Sequence, residues 1–154
     1  MSLCVQDVMV RDVITIESDY TVKYAARVMN YFGIGSLVVM SESRVVGILT
    51  ERDVLTRVVA KGSSSEKVLV RDIMSQPLIV VGPTMPLEDA VKVMLRQRIK
   101  KLPVVSKEKE GSRLIGMLSL TDVARLQPQM IETLKEMLPP GAPASDEQIN
   151  FYVR

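Results

Sequence analysis

Two stretches carry the residue types that could do chemistry: Gly47-Ile48-Leu49-Thr50-Glu51-Arg52-Asp53 and Gly116-Met117-Leu118-Ser119-Leu120-Thr121-Asp122. In each, an apolar strand runs into a hydroxyl residue, and an aspartate follows three positions later on the expected first turn of a helix. A Ser or Thr there caps the helix by accepting from an orphan backbone N–H, and an acid in the first turn suits the helix dipole. The same arrangement can hold a sugar and a phosphate. Free N–H groups at a helix start bind anions, and an aspartate just inside can accept from the two vicinal hydroxyls of a ribose. A single S/T-x-x-D is more often only a cap; recurrence of the whole context tips the balance towards binding.

Composition excludes most other chemistry. The 154 residues include one cysteine, Cys4, and no histidine. Disulfide frameworks, the usual Cys/His zinc clusters and Ser-His or Cys-His catalysis are therefore closed to this chain. A formal charge of +2 and 4% aromatic residues give no broad field or stacking surface for nucleic acid. No apolar run approaches the ~20 residues of a membrane span and no leader pattern is visible, so a cytoplasmic setting is expected.

The elements that must position the two signatures are themselves duplicated. Val5-Gln6-Asp7-Val8-Met9 returns as Val70-Arg71-Asp72-Ile73-Met74, and Val13-Ile14-Thr15-Ile16 as Leu78-Ile79-Val80-Val81. Val22, Ala25, Ala26 and Met29 map at the same offset onto Leu87, Ala90, Val91 and Met94. The register then slips by four residues inside the polar loop Ser106 to Arg113, after which the signatures align. A loop is where a duplicated fold tolerates insertion.

In chain order the first repeat, 1–62, reads as a lead-in turn, a strand at 13–16, a helix at 21–32 with Asp19 as a possible cap, and a hairpin of 37–40 with 45–49. A helix from Thr50 to about Lys61 follows, with Val54, Leu55, Val58 and Val59 inward and Gly62 as C-cap. A serine-rich linker occupies 63–68. The second repeat, 69–127, repeats the order: turn 69–75, strand 78–81, helix 86–98, hairpin strands 102–106 and 113–118, helix 119–127. An extra helix is expected at 128–138. The proline-rich stretch from Pro139 opens a flexible tail, 139–154.

The fold class expected is therefore α/β (α+β), two tandem β-α-β-β-α units. A repeat of about 60 residues buries too little of its own surface to stand alone, so the two should pack sheet to sheet about a pseudo-twofold axis, leaving two related clefts.

The duplicated unit, with its Asp-apolar-Met lead-in, hairpin strands such as Leu102-Pro103-Val104-Val105 and Gly-x-x-Thr/Ser-x-x-Asp signatures, resembles the cystathionine-β-synthase (CBS) domain pair, or Bateman module, over residues 1–127. The resemblance implies a regulatory module that binds adenosine-containing ligands, AMP, ADP or ATP and sometimes S-adenosylmethionine. On that pattern Asp53 and Asp122 accept from ribose hydroxyls, and Thr50 and Ser119 bind ribose or phosphate oxygens. Groups near Ile14-Thr15-Ile16 and Ile79-Val80-Val81 enclose the adenine, residues just before the second strand of each repeat face the phosphates, and Pro103 counts among the nucleotide-binding residues. Lys100 and Lys101 fill that place in the second repeat, Gly35 and Ser36 in the first. Cations suit phosphate; Lys101 and Arg52 are the candidates, while Arg98 is assigned to a solvated loop.

The leading functional expectation is a non-catalytic nucleotide sensor that signals by conformational change. It is taken to form a homodimer through its helices, as a stand-alone module acting on a separate target protein. The alternatives are a dimeric scaffold with empty clefts, or a binder of S-adenosylmethionine or nucleic acid. Nucleotide hydrolysis with Asp53 or Asp122 as base ranks last, for want of histidine, a glycine-rich phosphate loop or a metal cluster.

Overall fold

The computed structural model describes residues 2–76, 79–109 and 111–138. The expected tail at 139–154, with Phe151 and Tyr152, lies outside them. Contacts divide the chain into two compact units that cut across the repeats: one holds Met1–Asp12 and Ile79–Arg154, the other Val13–Leu78. Each lead-in thus packs with the other repeat's signature.

In the Val13–Leu78 unit, β1 (Thr15–Glu17), β2 (Ser36–Ser41) and β3 (Arg44–Thr50) form one sheet in that order, β1 parallel and β3 antiparallel to β2. The helix α1 (Val22–Phe32) makes the crossover. Its cap is Thr21, whose Oγ1 accepts from Tyr24 N at 3.2 Å, and not Asp19. A turn in which Tyr20 N donates to Glu17 O delays the helix past Asp19. Gly33 closes α1 at φ 65°, a left-handed conformation that costs glycine nothing. All of Ser36 to Val39 are buried, so β2 is covered on both faces, whereas β3 alternates.

The helix α2 (Glu51–Val54) runs straight into a π turn (Leu55–Val59), where Ala60 N reaches back to Leu55 O. The two apolar columns expected inward separate here. Val58 is buried, but Leu55 and Val59 are 60% and 64% exposed. The wider turn leaves room for only one column against the core of Ile16, Val22, Leu37, Leu49, Val58, Val70 and Ile73. A short α3 (Val70–Ile73) ends the unit's helices.

In the other unit β4 (Lys101–Glu108) and β5 (Gly111–Ser119) form a hairpin covered by α4 (Leu87–Gln97), α5 (Leu120–Leu126) and α6 (Pro128–Met137). Val5, Val8 and Met9 from the lead-in join Leu87, Met94, Leu102, Leu118, Ile131 and Leu134 in one core. Pro128 starts α6 at a position where its missing N–H costs nothing.

The strand expected at 78–81 is reduced, among the described residues, to a single parallel bridge of Val81 with Val104. Its counterpart shows why. Val38 N donates to Ile14 O to start the β1–β2 ladder, and Pro103 stands at the position of Val38 with no N–H to give.

Candidate functional site

At the first signature, Thr50 caps α2 and Asp53 completes a capping box: Asp53 N donates to Thr50 Oγ1 at 3.1 Å, and Thr50 N donates to Asp53 Oδ2 at 2.9 Å. Asp53 is only 6% exposed. Both of its carboxylate oxygens also accept from Ser75 Oγ, at 2.9 and 3.0 Å. Arg57 Nη1 stands 3.6 Å from Asp53 Oδ1 while donating to Ile73 O at 2.7 Å and Met74 O at 3.1 Å. A buried carboxylate is costly unless paired and hydrogen-bonded, and here the protein supplies both.

Of the other expected residues, Ser36 pairs with Thr50 in the β2–β3 register, and Ile14 to Ile16 lie alongside β2. Thr50, Asp53, Ser36 and Ile14 are thus gathered at one end of the sheet. Arg52 is exposed on α2. A cavity of about 540 Å³ between α1, the turn at 33–35 and the start of α2 is lined by Met29, Asn30, Gly33, Gly35, Glu51 and Val54 among others. Its charged group is acidic. The Glu51 carboxylate lies 3.0 Å from where a Cβ on Gly35 would sit, beside the position expected to face phosphate.

The second signature has the same backbone and different chemistry. Ser119 Oγ accepts from Thr121 N at 3.2 Å. Asp122 meets Arg125 at 3.8 Å, the outer limit of an ion pair, and its side chain stays 31% exposed. Lys101 pairs with Ser119 across the hairpin, and Leu120 N donates to Lys100 O at 2.8 Å. Both lysines therefore flank the start of α5, Lys100 exposed and Lys101 half-buried. Arg98, the left-handed C-cap of α4 at φ 56°, is exposed two residues earlier.

Ile79 and Pro103 are buried nearby, Pro103 O accepting from Val81 N at 3.1 Å. Val80 and Val81 line a different space, a cavity of about 580 Å³ with Thr84, Asp89, Val105 and Lys107. Lys107 pairs with Ser112 and Lys101 with Ser119. At about 3.3 Å per residue those two ends of the hairpin are roughly 20 Å apart.

The exchanged lead-ins explain the contrast. Val10 pairs with Met117 as Ser75 pairs with Ile48. Beside Asp122, then, Val10 stands where Ser75 stands beside Asp53, and Leu126 aligns in sequence with Arg57, while Arg125 brings the nearby guanidinium. Sequence reading passed over Ser75, Arg57 and Glu51, because nothing local to a signature says which lead-in crosses it. The fixing device was nevertheless visible. A Cβ on Gly47 would come 2.7 Å from Met74 Sδ, and one on Gly116 2.5 Å from Met9 Sδ. Each signature glycine is the seat of the other repeat's lead-in methionine.

The CBS domain model matches residues 5–60 and 70–128, one match per repeat. This chain belongs to the CBS domain family. An uncharacterised protein of Methanopyrus kandleri, MK0525, is 38% identical over 136 residues, covering 88% of this chain and 68% of that one. The CBS domain-containing protein YhcV of Bacillus subtilis is 32% identical over 120 residues, 78% of this chain and 82% of that one. Among solved structures, the CBS domain pair of protein MJ0100, in complex with 5′-methylthioadenosine and S-adenosyl-L-methionine, superposes with a TM-score of 0.72 at 24% identity. That superposition covers 84% of this chain and 98% of the other. The α+β architecture with two small sheets is that of a CBS pair. Among the described residues no helix is long and apolar enough to cross a membrane, and no His/Cys/Asp/Glu group is placed to hold a metal.

Proposed function

We propose that this CBS pair is a non-catalytic regulatory module that binds an adenine nucleotide, AMP, ADP or ATP, through the second signature. Asp122 accepts from the ribose hydroxyls, Ser119 and the start of α5 meet ribose or phosphate oxygens, and Lys100 and Lys101 face the phosphates. The observation that carries the reading is the accessible Asp122 carboxylate in the same unit as two lysines that flank its helix. The solved pair with two adenosine ligands supports it at the level of fold.

Phosphate is favoured over a sulfonium ligand by charge: paired lysines attract an anion and repel the cation of S-adenosylmethionine. The first signature offers the opposite, a Glu51 carboxylate beside Gly35. Binding that differs between two arrangements of the fold shifts their populations, which is how occupancy would reach a separate target protein in the cytoplasm. Tyr31, Phe32, Leu55 and Val59, all exposed on the helices of the Val13–Leu78 unit, offer a second copy an apolar face for a homodimer.

Thermal melting with AMP, ADP, ATP and S-adenosylmethionine tests the proposal. The nucleotides should raise the Tm of the wild type and leave Asp122→Ala unmoved. A shift that survives in Asp122→Ala, or one given by S-adenosylmethionine alone, overturns it.

A further inference from the structure

We infer that the chain holds one nucleotide and not two, because Ser75, on a lead-in fastened by Arg57, occupies the ribose-binding position of the first signature with protein. The inference rests on the nucleotide-binding reading and adds the residues that set its stoichiometry.

A ribose would present two hydroxyl donors to the Asp53 carboxylate. The single hydroxyl proton of Ser75 Oγ is already shared between both oxygens, at 2.9 and 3.0 Å, and Oδ2 also accepts from Thr50 N. Ser75 is itself held in place, since its backbone N donates to Ile48 O at 2.8 Å. Arg57 adds a second fastening. Carried on the π turn, its guanidinium grips the carbonyls of Ile73 and Met74, the two residues before Ser75, and lies 3.6 Å from Asp53. A nucleotide entering here must break a charge-assisted hydrogen bond between groups already positioned, and then set its phosphate against Glu51.

Four aligned positions lean the same way. Ser75, Arg57, Glu51 and Gly35 beside the first signature become Val10, Leu126, Leu120 and Lys100 beside the second. At the second signature the hydroxyl plug and the repelling carboxylate are gone and a cation is gained, while the guanidinium near the aspartate, Arg125 at 3.8 Å, comes from the exposed face of α5 and holds no lead-in.

The test is a calorimetric titration with ATP. The wild type should bind one ATP per chain. The double variant Ser75→Val with Glu51→Leu, which copies two of the second signature's four residues into the first, should bind two, and adding Asp53→Asn should return it to one. Two ATP per wild-type chain, or one in the double variant, overturns the inference while leaving nucleotide binding intact. If the wild type binds no ATP, the functional reading falls, and a ligand-free cycle decides the plug. Asp53→Asn and Ser75→Ala should each lower the Tm by several degrees and together by no more than the larger of the two; additive losses refute the contact.

Discussion

Replacing Gly116 by alanine tests the joint on which the site depends. The added Cβ would stand 2.5 Å from Met9 Sδ, 3.0 Å from Met9 Cγ and 3.0 Å from the backbone oxygen of Val10. A thioether can swing aside; a carbonyl in a ladder cannot. Val10 N donates to Met117 O and Met117 N to Val10 O, both at 2.9 Å, so relief must stretch that pair of bonds. Overpacking of a close-packed site costs about 1–3 kcal/mol, and the fixed carbonyl puts Gly116→Ala near the upper end, about 2–3 kcal/mol. For a chain of this size that is a fall of roughly 5–10 °C in Tm. Gly47→Ala meets Met74 Sδ at 2.7 Å and Ser75 O at 3.2 Å and should cost less, about 1–2 kcal/mol. Gly82→Ala, where nothing lies within 4 Å, is the control. Chemical denaturation followed by circular dichroism gives the three values. Combining Gly116→Ala with Met9→Ala should cost clearly less than the sum, since the alanine then fills space the methionine vacates. Equal costs for all three glycines, or strict additivity with Met9→Ala, would refute the seating of each lead-in on the other repeat's signature.

Other expectations follow from single contacts. Pro103→Val restores the N–H that Val38 uses on Ile14 O, so the amides from Ile79 to Val81 and at position 103 should gain hydrogen-exchange protection as a true strand forms; unchanged exchange contradicts the proline account of the missing strand. Arg98 sits at φ 56° as the cap of α4, and Arg98→Gly should stabilise the fold by about 0.5–1 kcal/mol in denaturant titrations; a loss would show that its side chain matters more than its backbone. Glu66 is held below the usual carboxylate range by its hydrogen bond and charge interaction with Lys23, Nζ to Oε1 2.6 Å. A depressed folded-state pKa contributes stability above the unfolded value of about 4.3 and loses it as pH falls through the folded one. The small Tm deficit of Glu66→Gln at neutral pH should therefore vanish in acid, and a deficit that persists there would remove the pair as its cause.

What was legible in the sequence is what local pattern controls. The 3.6-residue spacing of Val22, Ala25 and Met29 placed α1, because burial of one face dictates period, and the continuous β-branched runs placed both hairpins. Thr50 with Asp53 was readable as a cap, and the cap is what the first signature forms. Less visible were features decided between distant segments. The signature glycines mark where a lead-in methionine seats but not which repeat supplies it, so Ser75 at Asp53 and Val10 at Asp122 could not be assigned by spacing. Leu55 and Val59 share the apolar character of Val54 and Val58; only the π turn decides which column faces in. The loss of strand over the described residues 79–81 was recoverable, since Pro103 announces a lost donor, but the alignment of repeats spoke louder than one residue.

A crystal structure of the chain grown with ATP is the most direct trial of the central claim. Ribose hydroxyls are expected on the Asp122 carboxylate and phosphates beside Lys100 and Lys101, with Ser75 still bonded to Asp53. A nucleotide seated on Asp53 with Ser75 displaced, or one bound away from both aspartates, would contradict it.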